Sequence, residues 1–97
     1  MLIAHIEIII AEKNRKKALD ILTAQVPIVR AMEGCLMFSP YLDPTNDQVL
    51  FIFHEWEHKD NFITYLSSAC FTNANSVLGP LLTAPAVSRR FDAQLIQ

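Results

Sequence analysis

The chain has 97 residues, 52% hydrophobic and 19% charged, and its eight basic and ten acidic side chains give a net charge of −2. That length predicts one domain over residues 1–97. No apolar run approaches the ~18–20 residues of a membrane span, and the one basic cluster, Lys13, Arg15, Lys16 and Lys17, reads as a solvated helix end, so neither a membrane nor a nucleic-acid partner is expected.

The first element is LIAHIEIII, Leu2 to Ile10, an Ile-rich run that favours a strand. Alternation puts Leu2, Ala4, Ile6, Ile8 and Ile10 on one face and Ile3, His5, Glu7 and Ile9 on the other. The spacing then changes. Leu19, Leu22, Val26 and Val29 predict a helix from Asn14 to about Met32, with Asn14 as N-cap, Pro27 kinking it and Gly34 ending it. Cys35 to Leu42 and Gln48 to Trp56 read as two strands of a hairpin joined by the turn DPTND. Lys59 to Ser67 has Phe62, Ile63 and Leu66 at helical spacing, and Cys70 to Leu82 is a second helical piece stopped near Gly79-Pro80. Ala86 to Ala93 alternates weakly, as a last strand.

The order β-α-β-β-α-β predicts an α+β ferredoxin-like fold, a four-stranded antiparallel sheet with helices on one face. The other face needs cover, and a second copy of the chain supplies it, so a homodimer is expected. The N-terminus lacks a basic segment and a small-residue cleavage site, and Cys35 and Cys70 form no CxxC pair. Both point to a cytoplasmic protein with reduced thiols.

The stretch FIFHEWEHKD holds His54, Trp56 and His58. A metal site needs both histidines on one helix face. Here His54 belongs to a strand and His58 to the next element, so no metal is expected. Leu50, Ile52, His54 and Trp56 share one strand face. His54 is either a strand-end residue bonded within the protein, or a general base or hydrogen-bond donor at a pocket mouth. Trp56 is a core residue or a flat wall for an aromatic ligand. Tyr65 can present its hydroxyl to the same pocket. Ser39 and Tyr41 are weaker candidates on one strand face. Arg89 and Arg90 point to opposite faces, so at most one reaches a given pocket. The expected site has His54, Trp56 and Tyr65 as catalytic residues, with His5, Ile52, Phe62 and Arg89 lining the pocket.

From Met1 to about Ala93 the chain resembles the antibiotic biosynthesis monooxygenase family. The resemblance is carried by AHIEIII, RAMEGC, HEWEHKDNFITYL and ACFTNANSVLGPLLTAP. It implies a ferredoxin-like fold paired into a dimeric α+β barrel, with a pocket between sheet and helices. It also implies an oxygenase that needs no metal, flavin or nicotinamide and oxidises small aromatics such as quinols and anthrones with O2. Trp56 falls on the family's E-x-W tryptophan, but the glutamate before it is His54 here. Tyr65 and Cys70 replace two common histidines, and Met32 to Cys35 replaces E-P-G-C. The lost histidines argue against the haem degradation of some relatives. The leading expectation is a cofactor-independent monooxygenase acting on a small aromatic molecule, with His54 as base. The alternative is a non-catalytic ligand-binding or stress-response dimer on the same fold.

Overall fold

The computed structural model describes all 97 residues, Met1 to Gln97. The elements run β1 (Leu2–Ile9), α1 (Glu12–Arg30), β2 (Cys35–Leu42), β3 (Val49–Trp56), α2 (Lys59–Leu66), α3 (Ala69–Leu78) and β4 (Val87–Asp92), with a short 3-10 turn, Gly79–Leu81, after α3. The strands form one antiparallel sheet in the order β2-β3-β1-β4. This is the ferredoxin-like α+β arrangement, with the second helical region split in two at Ser68, whose hydroxyl caps α3 by accepting from the Phe71 N–H.

The helices cover the face that carries Leu2, Ala4, Ile8 and Ile10 of the first strand and its continuation, and Leu50, Ile52, His54 and Trp56 of β3. Register carries that face across the sheet. Ala4 pairs with His54 on one side and Arg90 on the other, and Phe38 of β2 pairs with His54. From α1, Ala18, Leu22 and Val29 fill the space beneath β1 and β3, because residues four and seven apart share a helix face. The opposite sheet face has no helix over it. Tyr41, Met37, Val87 and Phe91 stand at least partly in solvent there.

Both ends of α1 differ from the sequence reading. Asn14 is not the N-cap of α1. Ala11 is, in extended conformation, and its carbonyl accepts from the Asn14 N–H at 2.9 Å, closing the first turn earlier. Gly34 does not end the helix, which runs through Pro27 to Arg30 and is capped at Ala31. Gly34 makes the turn into β2 instead, at φ +78°, where a Cβ would collide with the Asn61 side chain at the start of α2. Its carbonyl accepts from the Glu57 N–H at 2.8 Å, which ties this turn to the end of β3. The loop thus fixes where α2 begins, and α2 carries Phe62 and Tyr65 over the sheet.

Candidate functional site

Between the inner sheet face and helices α2 and α3 lies a cavity of about 230 Å³. Its lining is mostly apolar, with Ile52, Phe62, Tyr65 and Phe71 among the walls. The polar groups are few: His54, Asn75, Ser88 and Arg90. A small apolar enclosure with a few convergent polar groups is the usual form of a small-molecule site.

The geometry of His54 sets the chemistry. His54 and Trp56 are two apart on β3, so both side chains stand on the inner face. The Trp56 Nε1–H donates to His54 Nδ1 at 2.9 Å, and both residues are buried. An indole nitrogen only donates. Nδ1 is therefore the bare acceptor, and the neutral ring carries its proton on Nε2. That Nε2 is buried and has no partner within the protein. Burial, and then the charge of Arg90, push the His54 pKa down from 6.5 to about 4. His54 is thus neutral across the physiological range, and its unpartnered N–H lies buried in a residue that lines the cavity. The expected base role does not fit this arrangement, because the one free lone pair of the ring is already engaged by Trp56.

Aromatic rings hold the imidazole in place. Phe38, Phe62 and Tyr65 lie with ring centroids 5.4, 5.4 and 5.7 Å from it. Burial pushes the Tyr65 phenol well above its ordinary pKa, so it stays protonated. The Arg90 guanidinium sits 4.9 Å from the centre of the Phe62 ring, a cation–π placement. Neither of the chain's two ion pairs uses Arg90.

The structure brings together His54, Tyr65, Ile52 and Phe62 at the cavity. It does not bring His5 or Arg89 there. His5 lies on the open sheet face, where its Nε2 is 2.8 Å from the Tyr41 hydroxyl and its ring stacks on Phe51 at 5.0 Å. Arg89 pairs with His5 across β1 and β4 and shares that outer face, so Arg90 is the arginine of the cavity. Both corrections have one cause: residues one apart on a strand point to opposite sides. Trp56 does not line the cavity either. It is fully buried behind His54 and positions it rather than walling a ligand. Ser39 and Tyr41 are on the open face as well, opposite Phe53 and Phe51. His58 is exposed at the start of α2, with its backbone N–H bonded to Asn61 Oδ1 at 3.1 Å. No three His, Cys, Asp or Glu side chains converge anywhere in the chain. The sequence reading missed Phe71, Asn75 and Ser88, which carry no signal until α3 and β4 are placed over the sheet.

The model of the antibiotic biosynthesis monooxygenases matches residues 1–76. The chain belongs to this family. The fold of this monooxygenase-family member recurs in solved structures. An antibiotic biosynthesis monooxygenase shares 16% identity and a TM-score of 0.88, over 98% of this chain and 100% of that one. Rv0793 from Mycobacterium tuberculosis shares 20% identity and a TM-score of 0.88, over 99% and 96%. A candidate antibiotic biosynthesis monooxygenase from Deinococcus radiodurans shares 18% identity and a TM-score of 0.91, over 100% and 96%. At such identities the likeness is one of fold. No curated protein matches the sequence. No helix is long and apolar enough to cross a membrane.

Proposed function

We propose that this family member is a monooxygenase that oxidises a small aromatic, quinol- or anthrone-like molecule with O2 and without a bound cofactor. The observation that carries this is an apolar cavity whose lining includes an unpartnered imidazole N–H and, at its exposed edge, a guanidinium in no ion pair. The apolar walls suit an aromatic ring. The two donors suit an oxygen atom on that ring which gains negative charge as a proton leaves. The electron-rich anion then reduces O2. For a ring methylene, the balance is one CH2 and one O2 giving one C=O and one H2O. Two C–H bonds break, and the substrate supplies all four electrons. At about 230 Å³ the cavity is below the ~300–1,000 Å³ common for drug-sized ligands, which favours one- or two-ring substrates over a three-ring anthrone.

His54 contributes as a hydrogen-bond donor, Arg90 as a charge, and Tyr65 and Phe62 as walls. No carboxylate lines the cavity, so the substrate proton leaves to solvent and the anion is held by the donors. That same lack of an ionised base favours the second reading, a ligand-binding protein without turnover. Two further elements belong to the proposal. The apolar open sheet face, with Phe51, Phe53 and Phe91, suits burial against a second copy in a homodimer. The free thiols of Cys35 and Cys70 suit the cytoplasm.

Oxygen consumption by the purified protein with a panel of quinols and anthrones, with no cofactor added, tests this. Uptake that matches product formation and is lost in His54→Leu supports the monooxygenase. Ligand binding with no uptake from any member of the panel leaves the binding protein in its place.

A further inference from the structure

The cavity holds a buried donor with no partner and a wall of aromatic rings, and the residue that sets the donor's identity stands outside the cavity. An imidazole is an ambiguous group: either ring nitrogen can carry the proton of the neutral form. If the Nε2 of His54 were bare, the cavity would welcome a neutral phenol, whose O–H would donate to it. With the proton on Nε2, the same phenol can only accept through its weakly basic oxygen and must place its O–H elsewhere in an apolar cavity, while its phenolate accepts a stronger, charge-assisted bond. We infer that Trp56 is a positioning residue for specificity: by donating to His54 Nδ1 at 2.9 Å it keeps the proton on Nε2, and the cavity takes an aromatic oxyanion in preference to the matching neutral phenol. This rests on reading the cavity as the substrate site.

The surroundings act in the same direction. Arg90 from β4 adds a positive charge over Phe62. Tyr65 from α2 is the other titratable group that lines the cavity, and it stays neutral. The faces of α1 and α3 that line the cavity bring no ionisable group, and Phe38 of β2 is apolar. Nothing facing His54 repels an anion. The imidazolium is disfavoured by burial and by Arg90, and it would also set an Nδ1–H against the Trp56 N–H. The lock is therefore independent of pH down to the acid range.

Para-nitrophenol is a suitable probe, because its phenolate absorbs at longer wavelength than its neutral form and it needs no oxygen to report. Spectral titration of the probe bound to the native full-length protein is expected to show the phenolate persisting to lower pH than in water. Trp56→Phe frees His54 to move its proton, admits the neutral phenol, and is expected to reduce the phenolate preference roughly threefold to tenfold. Arg89→Gln, on the other sheet face, leaves it unchanged. If Trp56→Phe does not fold, two substitutions at His54 replace it. In His54→Gln the amide oxygen accepts from Trp56 and the amide N–H faces the cavity, so the preference stays; in His54→Leu it falls. Probe bound to the native protein as the neutral phenol overturns the inference and leaves the cavity as a ligand site. A folded Trp56→Phe with undiminished preference, or His54→Gln behaving like His54→Leu, overturns the role of Trp56. No binding of any phenol to the native protein overturns the cavity reading together with the inference.

Discussion

The two faces of the sheet hold the same pair of residue types and use them differently. His54 and Arg90 face the helices; His5 and Arg89 face away from them. His54 is sealed by four aromatic rings and has one nitrogen engaged by Trp56 and the other free beside a cavity. His5 is half-buried, lies on Phe51, and is bonded to Tyr41 on a face that no part of the chain covers. What separates them is the cover. A helix layer turns an imidazole into a neutral, oriented donor, whereas an open strand face leaves it as one member of an apolar surface that suits a second copy of the chain.

The largest expected effect is on stability in acid. The unfolded chain binds a proton at His54 below about pH 6.5, and the folded chain only near pH 4. Between those values the unfolded state holds more protons, so native stability is full above pH 6.5 and falls as pH drops towards 4. The loss due to this one group is about 3 kcal/mol. Urea unfolding followed across that range should show the fall, and His54→Gln should flatten it. A native protein with no such slope would mean that His54 is not held neutral.

Next in size is turnover. Loss of a preorganised donor to a developing oxyanion costs about a hundredfold or more in rate, so His54→Leu should lower oxygen uptake by that order. His5→Leu should leave the rate per folded protein unchanged. Equal losses at the two histidines would erase the distinction between the faces. For the arginines, Arg90→Gln is expected to weaken phenolate binding about tenfold, as befits one charge-assisted hydrogen bond, while Arg89→Gln changes it little; isothermal titration of the pair decides. The smallest effect on the cavity belongs to Phe53→Asp on the open face. It should leave ligand affinity intact and shift size-exclusion and light-scattering mass from dimer towards monomer. A mass unchanged by this charge would count against the open face as the site of self-association.

The sequence carried the β3 side of the site well. Strict alternation set Ile52, His54 and Trp56 side by side, and helical spacing in α2 marked Phe62, although it marked Ile63 as well, which is 47% exposed. It carried less about β1 and β4, for different physical reasons. In β1 alternation sets a wholly apolar face against one with His5 and Glu7, but it does not say which sheet face holds the pocket's polar groups, so His5 looks as suitable for a pocket as His54. In β4 the usual pattern is inverted. Val87 and Phe91 fall on the uncovered face, and Ser88, Arg90 and Asp92 fall on the helix side, because this edge strand borders the mouth of the cavity and not the core. A reader who assigns apolar residues inwards therefore puts Arg89 at the site. The N-cap of α1 was hidden for a local reason: Asn14 is a better capping residue than Ala11, yet the strand-to-helix turn closes three residues before it. The direction of the Trp56–His54 bond was beyond sequence altogether, since neighbours on a strand face need not touch.

The claim on which the rest depends is the protonation pattern of one ring. Heteronuclear NMR of the imidazole nitrogens of His54 in the native protein near pH 7 reads it directly. The prediction is a neutral ring with Nε2 protonated, Nδ1 bare and hydrogen-bonded, and no titration until the pH approaches 4. A ring protonated on Nδ1, or one that titrates near its ordinary 6.5, would contradict it.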